Sequence, residues 1–136
     1  MKVLVSWTDG VQFVAESGSG HAVVLDGAPE YGGRNTGMRP MEMVLAGTAG
    51  CTAFDVVSIL KKMRQDITDV KVDVEGERAG EDPKVFTTLH FIYRVSGNGL
   101  DRAKVEQAVK LSKEKYCSAT IMLAKTAEVT YEIVMG

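Results

Sequence analysis

The chain has 136 residues, with 16 Lys and Arg against 18 Asp and Glu for a net charge of −2, and it is 45% hydrophobic and 25% charged. That composition predicts one soluble globular domain over residues 1–136, long enough to bury roughly two thirds of its unfolded surface without covalent staples. The slightly acidic balance argues against nucleic acid or an anionic membrane as the main partner, since both call for clustered Lys and Arg.

Met1 to Val5 carries one Lys among aliphatics and then breaks at Ser6, Asp9 and Gly10, so it does not read as a secretory segment, and no stretch reads as a membrane span. The expected address is the cytoplasm. Thiols stay reduced there, so Cys51 and Cys117 are expected to be catalytic, redox-sensing or metal-binding rather than a structural staple.

In chain order, Val3, Val5 and Trp7 alternate with polar neighbours, Asp9-Gly10 turns, and Val11 and Phe13 alternate again, which predicts a hairpin. His21 to Asp26 reads as a short strand, followed by the Gly-rich loop Tyr31 to Gly37. At Pro40 the period changes. Met41, Val44, Leu45, Thr48, Thr52, Val56, Ile59, Leu60 and Met63 follow helical spacing, predicting a helix to about Arg64, with Lys61, Lys62 and Arg64 complementing its dipole. Gly47 and Gly50 inside it each cost about 1 kcal/mol relative to Ala, which close approach of another backbone or of a substrate would offset. Val70 to Val74 and Val85 to Val95 alternate as a long antiparallel hairpin with one wet face. A second amphipathic helix follows from Asp101 to near Tyr116. Ser118 is placed to cap a short helix over Ala119 to Lys125, and Val129, Tyr131 and Ile133 form a last strand.

The order is that of an α+β fold rather than βαβ winding. A long helix with small residues around its middle wants cover on more than one side, which predicts a homodimer.

The cysteines lie 66 positions apart, with no Cys-x-x-Cys. His21 and His90 show no ligand spacing, so no metal is expected. A Gly-x-Ser-x-Gly elbow is absent, and Gly47-Thr-Ala-Gly50 lacks the Lys of a phosphate loop. Cys51 taken singly reads as a small hydrophobe in a tight helix. Cys117 precedes a helix whose amide end is expected to lower its pKa.

The segment Arg39-Pro-Met-Glu-Met-Val-Leu-Ala-Gly-Thr-Ala-Gly-Cys51-Thr-Ala-Phe, with Tyr116-Cys117-Ser-Ala-Thr downstream, resembles the OsmC/Ohr family of organic hydroperoxide reductases over nearly the whole chain. Asp55 to Arg64 resembles one branch of it. The resemblance implies an intertwined homodimer, antiparallel sheets wrapping long central helices, and sites at the subunit interface. It further implies that Cys51 is the peroxidatic nucleophile and Cys117 the resolving thiol, with an organic hydroperoxide as substrate, a dithiol as reductant and no cofactor. The family's activating Arg maps to Arg34, with Arg39 as second candidate. Its usual carboxylate falls on Met41, and Glu42, the nearest acid, is rotated by about 180° from Cys51 on a regular helix. A binding module for an apolar small molecule, or a thiol sensor without turnover, is the alternative reading of the same fold.

Overall fold

A computed structural model describes residues 1–136, and in it the early alternation becomes three short antiparallel strands. β1 (Val3–Asp9) pairs with β2 (Gln12–Ser17), and β2 pairs with β3 (Ala22–Leu25). Gly10 turns the first hairpin at φ +56°, a left-handed conformation that glycine adopts without steric cost. Residues Met1–Val44 make one compact unit and Leu45–Gly136 a second.

In the first unit the one buried residue is charged: Asp26 is 2% exposed. Its carboxylate accepts hydrogen bonds from the backbone N–H of Gly27 at 2.7 Å, of Arg34 at 3.2 Å and of Thr36 at 3.2 Å, and from the Thr36 hydroxyl. These bonds gather the loop that follows β3. Gly33 there lies so close to the Gly27 carbonyl that no Cβ fits. The Thr36 hydroxyl, opposed by desolvation and helped by the backbone donors, holds the Asp26 carboxyl down from 3.8 to about 2. Because the folded value is depressed, the stabilisation is present above about pH 4 and is lost as pH falls towards 2. Asp26→Asn should therefore lower stability at neutral pH and flatten its decline between about pH 4 and pH 2, read by melting temperature against pH. An unchanged acid branch would show that the loop is held by something else.

The helix α1 (Pro40–Lys62) opens with proline in its first turn, and the Glu42 carboxylate accepts the Arg39 backbone N–H at 2.8 Å, as in a capping box. It stops where Arg64 turns left-handed at φ +56° and the Gln65 N–H reaches back to the Leu60 carbonyl at 2.9 Å. Thr48, Thr52, Val56 and Leu60, four residues apart, form its buried stripe. Gly47 and Gly50 are exposed: Cβ atoms added at either would meet nothing, so within this chain no backbone closes on them. Contrary to the expectation from sequence, α1 is long and apolar enough, by length and composition, to cross a bilayer, although only 22% of its most apolar window is buried in the chain. The reason is that Ala, Gly and Thr interrupt the large side chains without adding charge, leaving Asp55 alone between Val44 and Leu60.

In the second unit β4 (Asp66–Arg78) runs antiparallel to β5 (Phe86–Asn98), and β6 (Glu128–Met135) pairs with β5 on its other side. That last pairing is parallel, so this sheet is mixed rather than wholly antiparallel. The helical connection carries the chain back along the sheet before β6, the geometry of a βαβ crossover. It consists of α2 (Arg102–Leu111), capped by the Asp101 carboxylate on the Ala103 N–H at 3.0 Å, a π turn (Ser112–Tyr116) and α3 (Ser118–Leu123). The core joins one face of β5 (Leu89, Phe91, Tyr93 and Val95) to Val56 and Leu60 of α1 and to Val105, Ala108 and Val109 of α2.

Candidate functional site

Cys51 sits on α1, half-buried, one residue before the buried Thr52. Cys117 is fully buried and is itself the N-cap of α3, the place expected for Ser118. Its sulfur accepts the Thr120 N–H at 3.4 Å, lies 3.0 Å from the Thr120 hydroxyl and 4.0 Å from the Thr48 carbonyl. The Cys117 N–H closes the π turn on the Ser112 carbonyl at 2.7 Å, a bond that an α-helical continuation of α2 would not make. One extra residue in that turn sets both Ser112 and Cys117 against α1.

The fold brings the two thiols within reach of each other's electrostatic influence. Burial pushes the Cys117 thiol up; the Thr120 bonds oppose that, and the adjacent Cys51 thiol adds to it as hydrogen-bond partner and as charge. The expected lowering by the helix amide end is therefore overturned. A single short helix offers two bonds from Thr120, and removal of the sulfur from water outweighs them. Burial thus favours the neutral form of the Cys117 thiol.

Beside the thiols runs a chain of buried hydroxyls that sequence reasoning missed. The Thr52 hydroxyl lies 2.9 Å from the Tyr93 hydroxyl and 2.7 Å from that of Ser112, and Ser112 donates to the Asp55 carboxylate at 2.9 Å. Burial pushes the Tyr93 phenol up to about 12, so it works as a neutral donor and acceptor. A polar residue on a buried helical stripe, as at Thr52 and Ser112, is the signal that could have found the chain. Asp55 also lines a cleft of about 570 Å³ with Phe54, Ser58, Ile59, Leu111 and Tyr116.

Arg34, Arg39 and Glu42 belong to the first unit and have partners in it. The Arg34 guanidinium pairs with Asp9 at 3.1 Å on the surface. That of Arg39 donates to Asn35 Oδ1 at 2.8 Å and to the Gly37 carbonyl at 3.1 Å, and Glu42 caps α1. Glu42 thus has a structural task at the helix start.

Comparison with known proteins places the chain in a family. A family model for OsmC-like protein matches residues 33–132. Protein YhfA of Escherichia coli (strain K12) is 45% identical over 139 residues, covering 98% of this chain and 98% of that protein. Among solved structures, a protein from Aquifex aeolicus VF5 superposes with a TM-score of 0.82 at 28% identity, covering 99% of this chain and 96% of its own. The organic hydroperoxide resistance protein OhrB of Bacillus subtilis gives 0.66 at 20% identity over 98% of each chain, a likeness of fold. With the family model matching residues 33–132 and a relative 45% identical over nearly the whole of both chains, the chain belongs to the OsmC-like protein family.

Proposed function

We propose that the protein is a thiol peroxidase that reduces organic hydroperoxides, with Cys51 as nucleophile and Cys117 as resolving thiol. The observation that carries this reading is the difference in exposure between the two thiols: Cys51 is half-buried and open to a substrate, whereas Cys117 is fully buried. The Cys51 thiolate attacks the terminal peroxide oxygen, the O–O bond breaks, and the alkoxide leaves and takes a proton to give the alcohol. Cys51 is left as sulfenic acid. Cys117 displaces its hydroxyl as water to give a disulfide, and an external dithiol restores both thiols. These steps call on no metal or organic cofactor.

A stoichiometric dose of cumene hydroperoxide should convert both thiols into one intrachain disulfide, seen as a loss of about two daltons, one hydrogen from each thiol. Thiols that both remain free under excess hydroperoxide would sink the reading.

The working form is proposed to be a cytoplasmic homodimer. The first unit buries no apolar residue and leaves Val3, Leu4, Val5 and Trp7 exposed, and α1 exposes Val44 and Phe54 beside the open Gly47 and Gly50. Apolar surface so disposed gains most by meeting a second copy. Light scattering at micromolar concentration should give twice the chain mass, and a monomer would remove the proposal.

A further inference from the structure

Cys51 and Cys117 are carried by different elements, so a bridge between them depends on how α1 is held against the segment that runs from the π turn into α3. A disulfide tolerates little error, since its Cα atoms must lie within roughly 7 Å and its torsion falls in narrow wells. One residue holds both sides of that arrangement. The Ser112 carbonyl accepts the Cys117 N–H at 2.7 Å, which fixes the backbone under the second thiol. The Ser112 hydroxyl lies 2.7 Å from that of Thr52, the residue next to Cys51, and donates at 2.9 Å to Asp55, further along α1.

The Asp55 carboxylate sets the direction of these bonds. Ser112 has one hydroxyl proton and gives it to Asp55, so it must accept from Thr52, and Thr52 in turn accepts from Tyr93. No hydroxyl in the chain can turn round without leaving a buried group unpaired. Thr52, Ser112 and Tyr93 are each at most 1% exposed, so water cannot replace a broken bond. A further tie, from the Cys117 sulfur to the Thr48 carbonyl, is long at 4.0 Å and belongs to the thiol itself. It is lost once the S–H bond breaks, whereas the Ser112 hydroxyl is not consumed and keeps its place on α1.

We propose that the hydrogen bond between Thr52 and Ser112 is a clamp that aligns the two thiols for disulfide closure. Thr52 and Ser112 are then positioning residues for the resolving step, and the thiols alone are reacting groups. The inference rests on the dithiol chemistry proposed above. In the resolving step the Cys117 sulfur forms the S–S bond with the Cys51 sulfenic acid, the S–O bond breaks, and the hydroxide leaves with the Cys117 proton as water. The clamp acts on the alignment of that step. Attack of Cys51 on a hydroperoxide needs only Cys51 and a substrate that diffuses to it, so the two steps should respond differently to loss of the bond.

Quenched flow with mass spectrometry separates them, the first being proportional to cumene hydroperoxide concentration and the second independent of it. Thr52→Val keeps the shape of the side chain and removes the hydroxyl. It should form sulfenic acid at the native rate and close about 10- to 100-fold more slowly, the cost of misaligned reacting atoms. Thr52→Ser restores the hydroxyl and should close near the native rate. Ser112→Ala should lose a factor similar to that of Thr52→Val, and the double variant should be no slower than the slower single one, since both break one bond. Equilibrated with glutathione and glutathione disulfide, without peroxide, Thr52→Val and Ser112→Ala should each give up the bridge at least about tenfold more readily than the native protein.

Native closure in Thr52→Val, or in Ser112→Ala should the first not fold, overturns the clamp even where the melting temperature falls, because a merely structural bond lowers stability and leaves closure alone. Slow closure in Thr52→Ser overturns it too. A native protein that forms the bridge with glutathione disulfide but not with hydroperoxide removes the peroxidase reading, and the glutathione equilibrium then decides the clamp by the same comparison of variants. A native protein that forms the bridge with neither removes both.

Discussion

Cys51→Ser is expected to abolish oxidation by organic hydroperoxide, a loss of at least about 100-fold, because a serine hydroxyl is not appreciably ionised at neutral pH and a thiolate is the nucleophile. Cys117→Ser should behave differently. It should consume one equivalent and stop, with Cys51 sulfenic acid accumulating and trapped by dimedone. The structure makes this second variant a clean test, since Cys117 caps α3 and serine is among the best capping residues. The introduced hydroxyl would accept the Thr120 N–H as the sulfur does, so a lost second step reports chemistry rather than a lost helix. Continued turnover in the Cys51→Ser protein would place the nucleophile elsewhere.

Phe91→Ala should cost about 3–5 kcal/mol, against a total stability of roughly 5–15 kcal/mol for a domain of this kind. Phe91 is 1% exposed on the central strand of its sheet, between Val74 of β4 and Tyr131 of β6, and stacks on Tyr93 with ring centroids 6.2 Å apart. Removing the ring leaves a cavity between rigid neighbours that can close only in part. It also frees Tyr93 on one side, so the hydroxyl chain should loosen with it. Chemical denaturation measures the first effect as a shifted midpoint; a loss under about 1 kcal/mol would mean that the layer between β5 and α1 repacks.

Most elements of the fold could be read along the chain. The alternation at Val70 to Val74 and Val85 to Val95 became β4 and β5, and the helical spacing from Met41 to Leu60 became α1. Local periodicity suffices there because one face of each element is wet and the other dry. The end of the second helix was harder, since the run to Tyr116 hides a change from α to π at Ser112 that leaves no mark in apolar spacing. The direction of β6 was out of reach for a related reason: it depends on where a helical connection delivers the chain, and strand composition is the same for either direction.

The site divides in the same way. From Cys51 among small residues and Cys117 before a helix start, the sequence by itself suggested a working thiol pair, on the strength of a motif resemblance, and it determined the α+β class. Only the tertiary structure decided that the Cys117 thiol is pushed up rather than down, because burial is a property of the packed core and outweighs the cap that the local sequence announces. It also decided that Glu42 spends its carboxylate on the start of α1 while Asp55 ends a hydroxyl chain beside the thiols. Thr52, Tyr93 and Ser112 lie 60 positions apart at their widest and meet only when α1, β5 and the π turn pack, so their hydrogen bonds have no counterpart in any local pattern.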